Sequence, residues 1–513
     1  MSIRERYAVA RLARLLLVSA FLSPVLWAGQ ETHKHPAPEK LGSVSFATSC
    51  QADVQREFER GVALLHSFAY PAAEASFKSV AEKDPKCAIA HWGVAMTYFH
   101  QLWDPPIVPG TLRKGREEVG RAEHIGGGSD RERRFIAALA LLYERDSAEI
   151  SYRDRASKYA GAMGELAAAY PNDAEAQIFY ALALLADASP FDKSHAKQKR
   201  AVEILEPLFA RYPRHPGVPH YLIHACDNQE MARKGLPAAR AYSKVAPSAP
   251  HALHMPSHIF TRLGMWDDSV TSNRPARTAA RDQGDIGEEL HAMDYLVYAY
   301  LQEGREEEAH EILEQVKAMP KLDQRDFKIA YAATAIPVRY AVERRQWTEA
   351  AAILPSSGAP PHVQAIAIWA RAIGLARSGH AADARLEIAK LRQLQQRVRT
   401  SRAEYSRYWA EQVAIQESEA RAWSAQAAGR ADEAVKLLRE AAEREDGVEK
   451  LPVTPGPIIP AREQLGDLLL EQNRPRMARM EFLLALSNAP ERRGSLAGIT
   501  QASKALGNTG SRN

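Results

Sequence analysis

Seven histidines fall between His215 and His291, where an even spread of the chain's 17 over 513 residues would place fewer than three. They are His215, His220, His224, His251, His254, His258 and His291. His220 and His224 are four residues apart just after Pro219, which a first helical turn tolerates, and His254 and His258 repeat the spacing, so each pair shares one helix face. Neutral imidazole suits zinc or copper, and nitrogens completed by one oxygen fit either ion. The same residues can instead form a polar ligand wall or satisfy buried backbone groups, and at this stage both readings stand. Pro256 sits inside the block HALHMPSHIF, where an interior proline removes a helical hydrogen bond. Either a helix starts near Met255, leaving His251 and His254 on the incoming loop, or the helix is kinked there.

Other chemistry is hard to find. The sequence holds no nucleophile elbow, HExxH, dinucleotide fingerprint or CxxC pair, and the glycines 126–128 lack the lysine of a phosphate loop. Of three cysteines, Cys50 and Cys87 lie at the edges of the first helical unit and are expected to pair, leaving Cys226 for the core.

The elements that must position these groups are helices. From about residue 53, apolar residues recur at three- and four-residue spacing in helix-length blocks split by short turns. In the first block Gly61, Ala73, Phe77 and Pro85 follow one another at intervals that return at Gly466, Ala478, Phe482 and Pro490. Between them a turn residue precedes a small residue by five: Gly304 to Ala309, Gly379 to Ala384, Gly429 to Ala434, and more loosely Gly264 to Ser269, Arg345 to Ala350 and Asn473 to Ala478. This grammar resembles the tetratricopeptide (TPR) repeat, in which small residues let antiparallel helices approach and an aromatic fills the gap beside them. The block HALHMPSHIF itself resembles one in secreted bacterial TPR proteins, from which no activity carries over. The resemblance implies an all-α, TPR-like α-solenoid, a right-handed superhelix of antiparallel helix pairs with a concave groove.

It also implies a register, in which the residues six, ten and thirteen before the turn glycine face the groove. Counting from Gly264 selects His258, His254 and His251, and counting from Gly304 selects Tyr298, Asp294 and His291. With Ala239 as the small residue of the preceding unit, Asn228, His224 and Tyr221 follow. The expected groove set is therefore Tyr221, His224, Asn228, His251, His254, His258, Arg262, His291, Asp294 and Tyr298, and the expected metal ligands are His224, His254, His258 and His291.

The organisation expected is a signal peptide over 1–28, a flexible leader over 29–52, TPR-like units over 53–215 with an insertion near 101–130, histidine-rich units over 216–310, further units over 311–490, and a cap helix with a disordered tail over 491–513. The signal rests on four arginines ahead of the apolar run Leu15 to Trp27, too short to span a bilayer; it predicts a periplasmic or secreted protein. No other stretch is apolar enough for a membrane. Without residues 1–28 the formal charge falls from +4 to about +1, giving no electrostatic case for nucleic acid.

Two functions are consistent with this reading. The first is a non-enzymatic binding module or scaffold holding a peptide, protein segment or small ligand in the groove near 220–300. The second is a zinc- or copper-dependent hydrolase or oxidase acting on a peptide-like substrate, with the histidines as ligands.

Overall fold

The computed structural model describes residues 40–100, 102, 109–144, 150–401 and 405–510. Among them every regular element is helical, and successive helices pair and stack along the chain from Gln55–His66 to Arg493–Gly510. The expected signal peptide lies outside the described residues.

Glycine, alanine and phenylalanine do in space what their spacing implied. Phe77 is fully buried between two helices, and a Cβ on Gly61 would come within 2.8 Å of its ring. At the other end a Cβ on Gly466 would come within 2.6 Å of the Phe482 ring. Both aromatics fill space that only a missing side chain leaves open. The turns share one conformation too: Gly264, Gly304, Gly379 and Gly429 have φ between 69° and 88°, and the looser positions Arg345 and Asn473 adopt the same left-handed region at 57° and 55°. Five residues on, Ser269, Ala309, Ala350, Ala384, Ala434 and Ala478 are all fully buried where the second helix meets the first. The TPR-like α-solenoid is thus built from the chain's own packing.

Three of the expected segments gain detail. In the described part of the leader Leu41 and Phe46 are buried, and the Phe46 ring lies 5.2 Å from Phe58, 5.6 Å from Trp92 and 5.2 Å from Phe135. A polar run without periodicity concealed this, because a single buried ring carries no period. Within the stretch near 101–130 the described residues form the helix Pro109–Ile125, which packs on Ala88–Met96. After Pro490 the chain forms the helix Arg493–Gly510 with a largely exposed outer face, and just before it Arg492 is fully buried, reaching Glu343 and Glu463 at 2.9 Å each and Tyr298 Oη at 2.9 Å. Trp266 Nε1 also donates to Glu491 O (3.0 Å), so the last helix pair is tied to the middle of the stack.

The second proline-rich insertion, LPVTPGPIIP, crosses the inner face of the helices. Val453, Thr454, Ile458 and Ile459 are buried, Glu449 N donates to Pro190 O (2.8 Å), and Arg339 donates to Pro457 O (3.1 Å). The residues expected to face the groove, among them His258, Asp294 and Tyr298, are buried, and this segment packs beside them.

Candidate metal centre

Four helical segments bring the histidines together. Gly217–Cys226 carries His220 and His224, Pro250–His254 carries His251 and His254, Pro256–Arg262 carries His258, and Ile286–Glu303 carries His291. At Pro256 the chain neither begins nor simply bends. One short helix ends, Met255 keeps helical angles (φ −52°, ψ −35°), and the proline opens the next helix, where its missing N–H costs nothing. All six imidazoles are buried.

They form two adjacent triads, His220 with His224 and His251, and His254 with His258 and His291; within each, one nitrogen per ring lies within 4.8 Å of the others. His220 Nε2 is 3.1 Å from both His224 Nε2 and His251 Nε2, and His254 Nε2 is 3.0 Å from His258 Nε2. Across the triads the His224 and His258 rings lie 6.0 Å apart, and the His251 and His254 rings 6.3 Å.

The far side of the rings decides where their protons sit. His220 Nδ1 is 2.6 Å from His66 O, His251 Nδ1 3.3 Å from Glu288 Oε2, His254 Nδ1 2.6 Å from Asn273 Oδ1, and His258 Nδ1 2.9 Å from Asp227 Oδ2. Asn273 Nδ2 donates to Ser269 O (2.8 Å), which fixes the amide so that its oxygen faces His254. Each of the four Nδ1 atoms therefore faces an acceptor, and each ring turns its Nε2 inward. Opposed lone pairs at 3.0 and 3.1 Å repel unless a cation lies between them. Four imidazoles arranged tetrahedrally at the usual zinc–nitrogen length would stand about 3.3 Å apart, so the triads are already near a ligand spacing.

A proton is a poor candidate for that cation. Burial, then the neighbouring imidazoles, hold His220, His224, His254 and His291 well below the usual histidine range, and burial pushes His258 down to about 4 despite Asp227. The acceptors stay ionised: burial opposes it, but Lys450 and Arg262 keep Asp227 low and Lys328 keeps Glu288 low. Nδ1 held by a carboxylate, amide or carbonyl oxygen, with Nε2 turned toward a common point, is the arrangement metal-bound histidines usually show.

The first triad is roofed by Phe68, whose ring lies 4.4 Å from His220 and 5.2 Å from His251 and whose backbone is held in the left-handed region at φ 55°. Beside the second, Tyr295 Oη lies 3.5 Å from His258 Nε2 and donates to Thr454 O (3.3 Å). Lys450 Nζ reaches Asp227 Oδ2 at 2.6 Å and Arg262 bridges Asp227 and Glu449, so the inserted segment is pinned over the histidines. A small cavity of about 80 Å³, lined among others by His224, Asp227, Leu102 and Lys450, touches the centre.

The sequence-derived set is sorted differently in space. His224, His254, His258 and His291 do not make one site: His224 belongs to one triad and the other three make up the second. His251 moves from groove wall to ligand set, and His220 joins it. Asp294 is turned away toward Arg339 (3.6 Å), and burial raises its carboxyl to about 6. Tyr298 receives Arg492, Tyr221 Oη meets His66 Nδ1 (2.8 Å), and Asn228 accepts from Met231 N (3.0 Å) as a local cap. Arg262 anchors Asp227 instead of facing a ligand. Asp227, Asn273, Glu288, Tyr295 and Phe68 were not selected by the repeat register, because none lies at a groove-facing step; the i, i+4 spacing of His220 and His224 was the signal that pointed to His220. Cys50 and Cys87 are joined with Cα atoms 4.9 Å apart, and Cys226 is buried.

No family model matches the chain, and no curated relative matches it. Solved structures similar to it include the P58(IPK) TPR domain (13% identity, 89% of this chain and 99% of that chain, TM-score 0.24). The APC/C hetero-tetramer Cut9–Hcn1 (11%, 88% and 76%, TM-score 0.37) and the yeast Tom70 (10%, 88% and 88%, TM-score 0.32) are others. Superpositions this loose carry no argument beyond the helix packing described above.

Proposed function

Starting from a TPR-like all-α solenoid closed over six histidines, we propose that this protein is a dinuclear metalloprotein, each triad holding one ion, and that the ions are copper. The observation that carries the reading is the pair of opposed Nε2 atoms in each triad, at 3.1 and 3.0 Å. The donors are all uncharged nitrogen. Around them the carboxylates Asp227, Glu288 and Glu449 are already paired with Arg262, Lys328, Lys450 and Lys193, so none of them is left to offset the charge of a bound ion. Two divalent ions would bring four uncompensated charges into this interior, whereas two Cu(I) ions bring half as many, which favours copper over zinc. Bound there, copper would supply one-electron redox chemistry, with His220, His224 and His251 holding one ion and His254, His258 and His291 the other. The chain's own groups hold the rings, keep Nε2 deprotonated and limit water to a small cavity.

An exported location fits the Cys50–Cys87 bond, which persists in oxidising compartments, and the segment expected to be a signal peptide. A protein-binding role keeps a different surface: Met477, Met480, Leu483, Leu484 and Leu496 are each at least 40% exposed at the C-terminal end. The histidine face itself is covered.

The test is elemental analysis after anaerobic Cu(I) loading and dialysis of untagged protein. Wild type should retain about two copper ions per chain, and the variants His220→Ala/His251→Ala and His254→Ala/His258→Ala about one each. Retention of zinc in preference to copper would replace the redox reading with a hydrolytic one. No retained ion in folded wild type would refute the centre.

A further inference from the structure

The two triads differ in the aromatic side chain set against them. At the first it is Phe68, whose phenyl ring, 4.4 Å from the His220 ring and 5.2 Å from that of His251, offers no ligand atom. At the second it is Tyr295, which packs on all three histidines, with ring centroids 4.7 Å from His254, 5.2 Å from His258 and 5.3 Å from His291. Tyr295 and His291 are four residues apart on the helix Ile286–Glu303, so both project from one face of it.

The Tyr295 hydroxyl sits beside the histidine nitrogens. Its Oη is 3.5 Å from His258 Nε2, which is itself 3.0 Å from His254 Nε2. Nitrogen and oxygen ligands at about 2.0–2.2 Å from one ion stand roughly 3.3–3.6 Å apart when tetrahedral, so Oη is already at ligand spacing from a histidine nitrogen. The hydroxyl is also loosely bonded. Tyr295 is fully buried, yet its donation to Thr454 O spans 3.3 Å, where a good O–H···O bond spans about 2.5–3.0 Å. A buried hydroxyl held this weakly is costly unless another partner takes its oxygen.

Charge points the same way. Asp227 and Glu449 are paired with Arg262, and Glu288 with Lys328. Imidazole is neutral, so oxidation of a bound Cu(I) to Cu(II) would by itself leave a further positive charge in a buried site. A phenol that loses its proton in the same step cancels it. One electron passes to a one-electron oxidant, the Oη–H bond breaks, the proton leaves to solvent, and an Oη–copper bond forms. The net charge of ion and ligands is then the same before and after.

We propose that Tyr295 is the fourth ligand of the second triad, binding through Oη when the ion held by His254, His258 and His291 is Cu(II). This rests on the copper reading above. Thr454 O, from the inserted segment, holds the hydroxyl beside the triad while the ion is reduced. The two ions are chemically distinct, because one triad meets a phenol and the other a phenyl ring.

The experiment is oxidation of copper-loaded protein with excess ferricyanide, read by visible absorption and by Raman scattering excited in the band, alongside metal analysis. Wild type should show a phenolate-to-Cu(II) charge-transfer band, with tyrosine ring lines that shift when ring-deuterated tyrosine is supplied during expression. Tyr295→Phe removes only Oη and its long bond; it should still retain about two copper ions per chain yet lose the band. Tyr242→Phe is the matched control, because Tyr242 stacks on His220 of the first triad at 5.0 Å and 16°, and it should keep the band. The variant His220→Ala/His251→Ala should keep the band as well, and His254→Ala/His258→Ala should lose it. Retained copper without a band in wild type, or a band of equal strength in Tyr295→Phe, would overturn the ligand and leave the copper centre standing. No retained ion in folded wild type would overturn both.

Discussion

Replacing Asp227 by asparagine tests whether the histidines and the segment over them are one structure. Asp227 Oδ2 accepts from His258 Nδ1 (2.9 Å) and Lys450 Nζ (2.6 Å), and Oδ1 accepts from Arg262 Nε (2.9 Å), with the side chain 5% exposed. Asparagine keeps the shape but exchanges one acceptor for an NH₂, and whichever way it turns, that group faces a donor. The lost charge leaves Arg262 and Lys450 beside Glu449 alone. Breaking a buried ion pair by removing one partner costs about 3–5 kcal/mol. Lys450, already pushed down to about 8 by burial, can shed its proton once Asp227 is neutral, which relieves part of the cost. A loss of about 2–4 kcal/mol at pH 7 is expected in urea unfolding of the ion-free chain. In either orientation His258 loses the charged acceptor that orients it, so affinity for the ion in its triad should fall by about 10–100-fold in competition against a chelator. Glu449→Gln serves as the control, because Glu449 joins Arg262 but does not contact the triads: it should lower stability and spare ion affinity. A stability loss below about 1 kcal/mol with unchanged affinity in Asp227→Asn would mean that the network behaves as a solvated surface pair, and would refute the reasoning.

Other outcomes follow from the same geometry. Gly466→Ala places a methyl within 2.6 Å of the Phe482 ring and should cost about 1–3 kcal/mol in thermal unfolding, with Phe482→Leu in the same chain recovering part of it. Burial, with Asp446 nearby, raises the Glu445 carboxyl to about 7, above its unfolded value, so the folded state holds this proton where the unfolded state has released it. Stability is therefore lost as pH rises from about 4.3 to 7, and Glu445→Gln should gain roughly 3 kcal/mol over wild type at pH 8 and nothing at pH 4, read from denaturation midpoints at both pH values. The Cys50–Cys87 bond closes a segment of 37 residues, so the double serine variant should unfold more easily by about 3–4 kcal/mol, whereas Cys226→Ser should show no dependence on reductant.

Much of the architecture was legible along the chain because its rules are local. Gly61 and Gly466 mark where Phe77 and Phe482 must fit, and the turn glycines mark where the backbone must go left-handed. The two non-glycine turns, Arg345 and Asn473, were legible only by their distance from Ala350 and Ala478. The histidine cluster stood out by number and by its i, i+4 pairs. Its division was not visible, because the register treats each unit as equivalent and assigns His224 to the same wall as His254. His251 and His254 lie on one short helix, yet they turn to different neighbours, one to His220 and the other to His258, because different helices pack on either side of it. Phe46 was missed for the same kind of reason: a lone ring in a polar run has no period.

The sequence by itself determined the helix pairs, their close packing and the candidate ligands, since each depends on residues within one or two turns of one another. The tertiary structure alone decided that the face is closed. Lys450 meets Asp227 and Arg492 meets Glu343 across 223 and 149 residues, and no local pattern encodes contacts of that range. Burial in the folded chain is also what holds His220, His224, His254, His258 and His291 below the usual histidine range, a property no local pattern encodes.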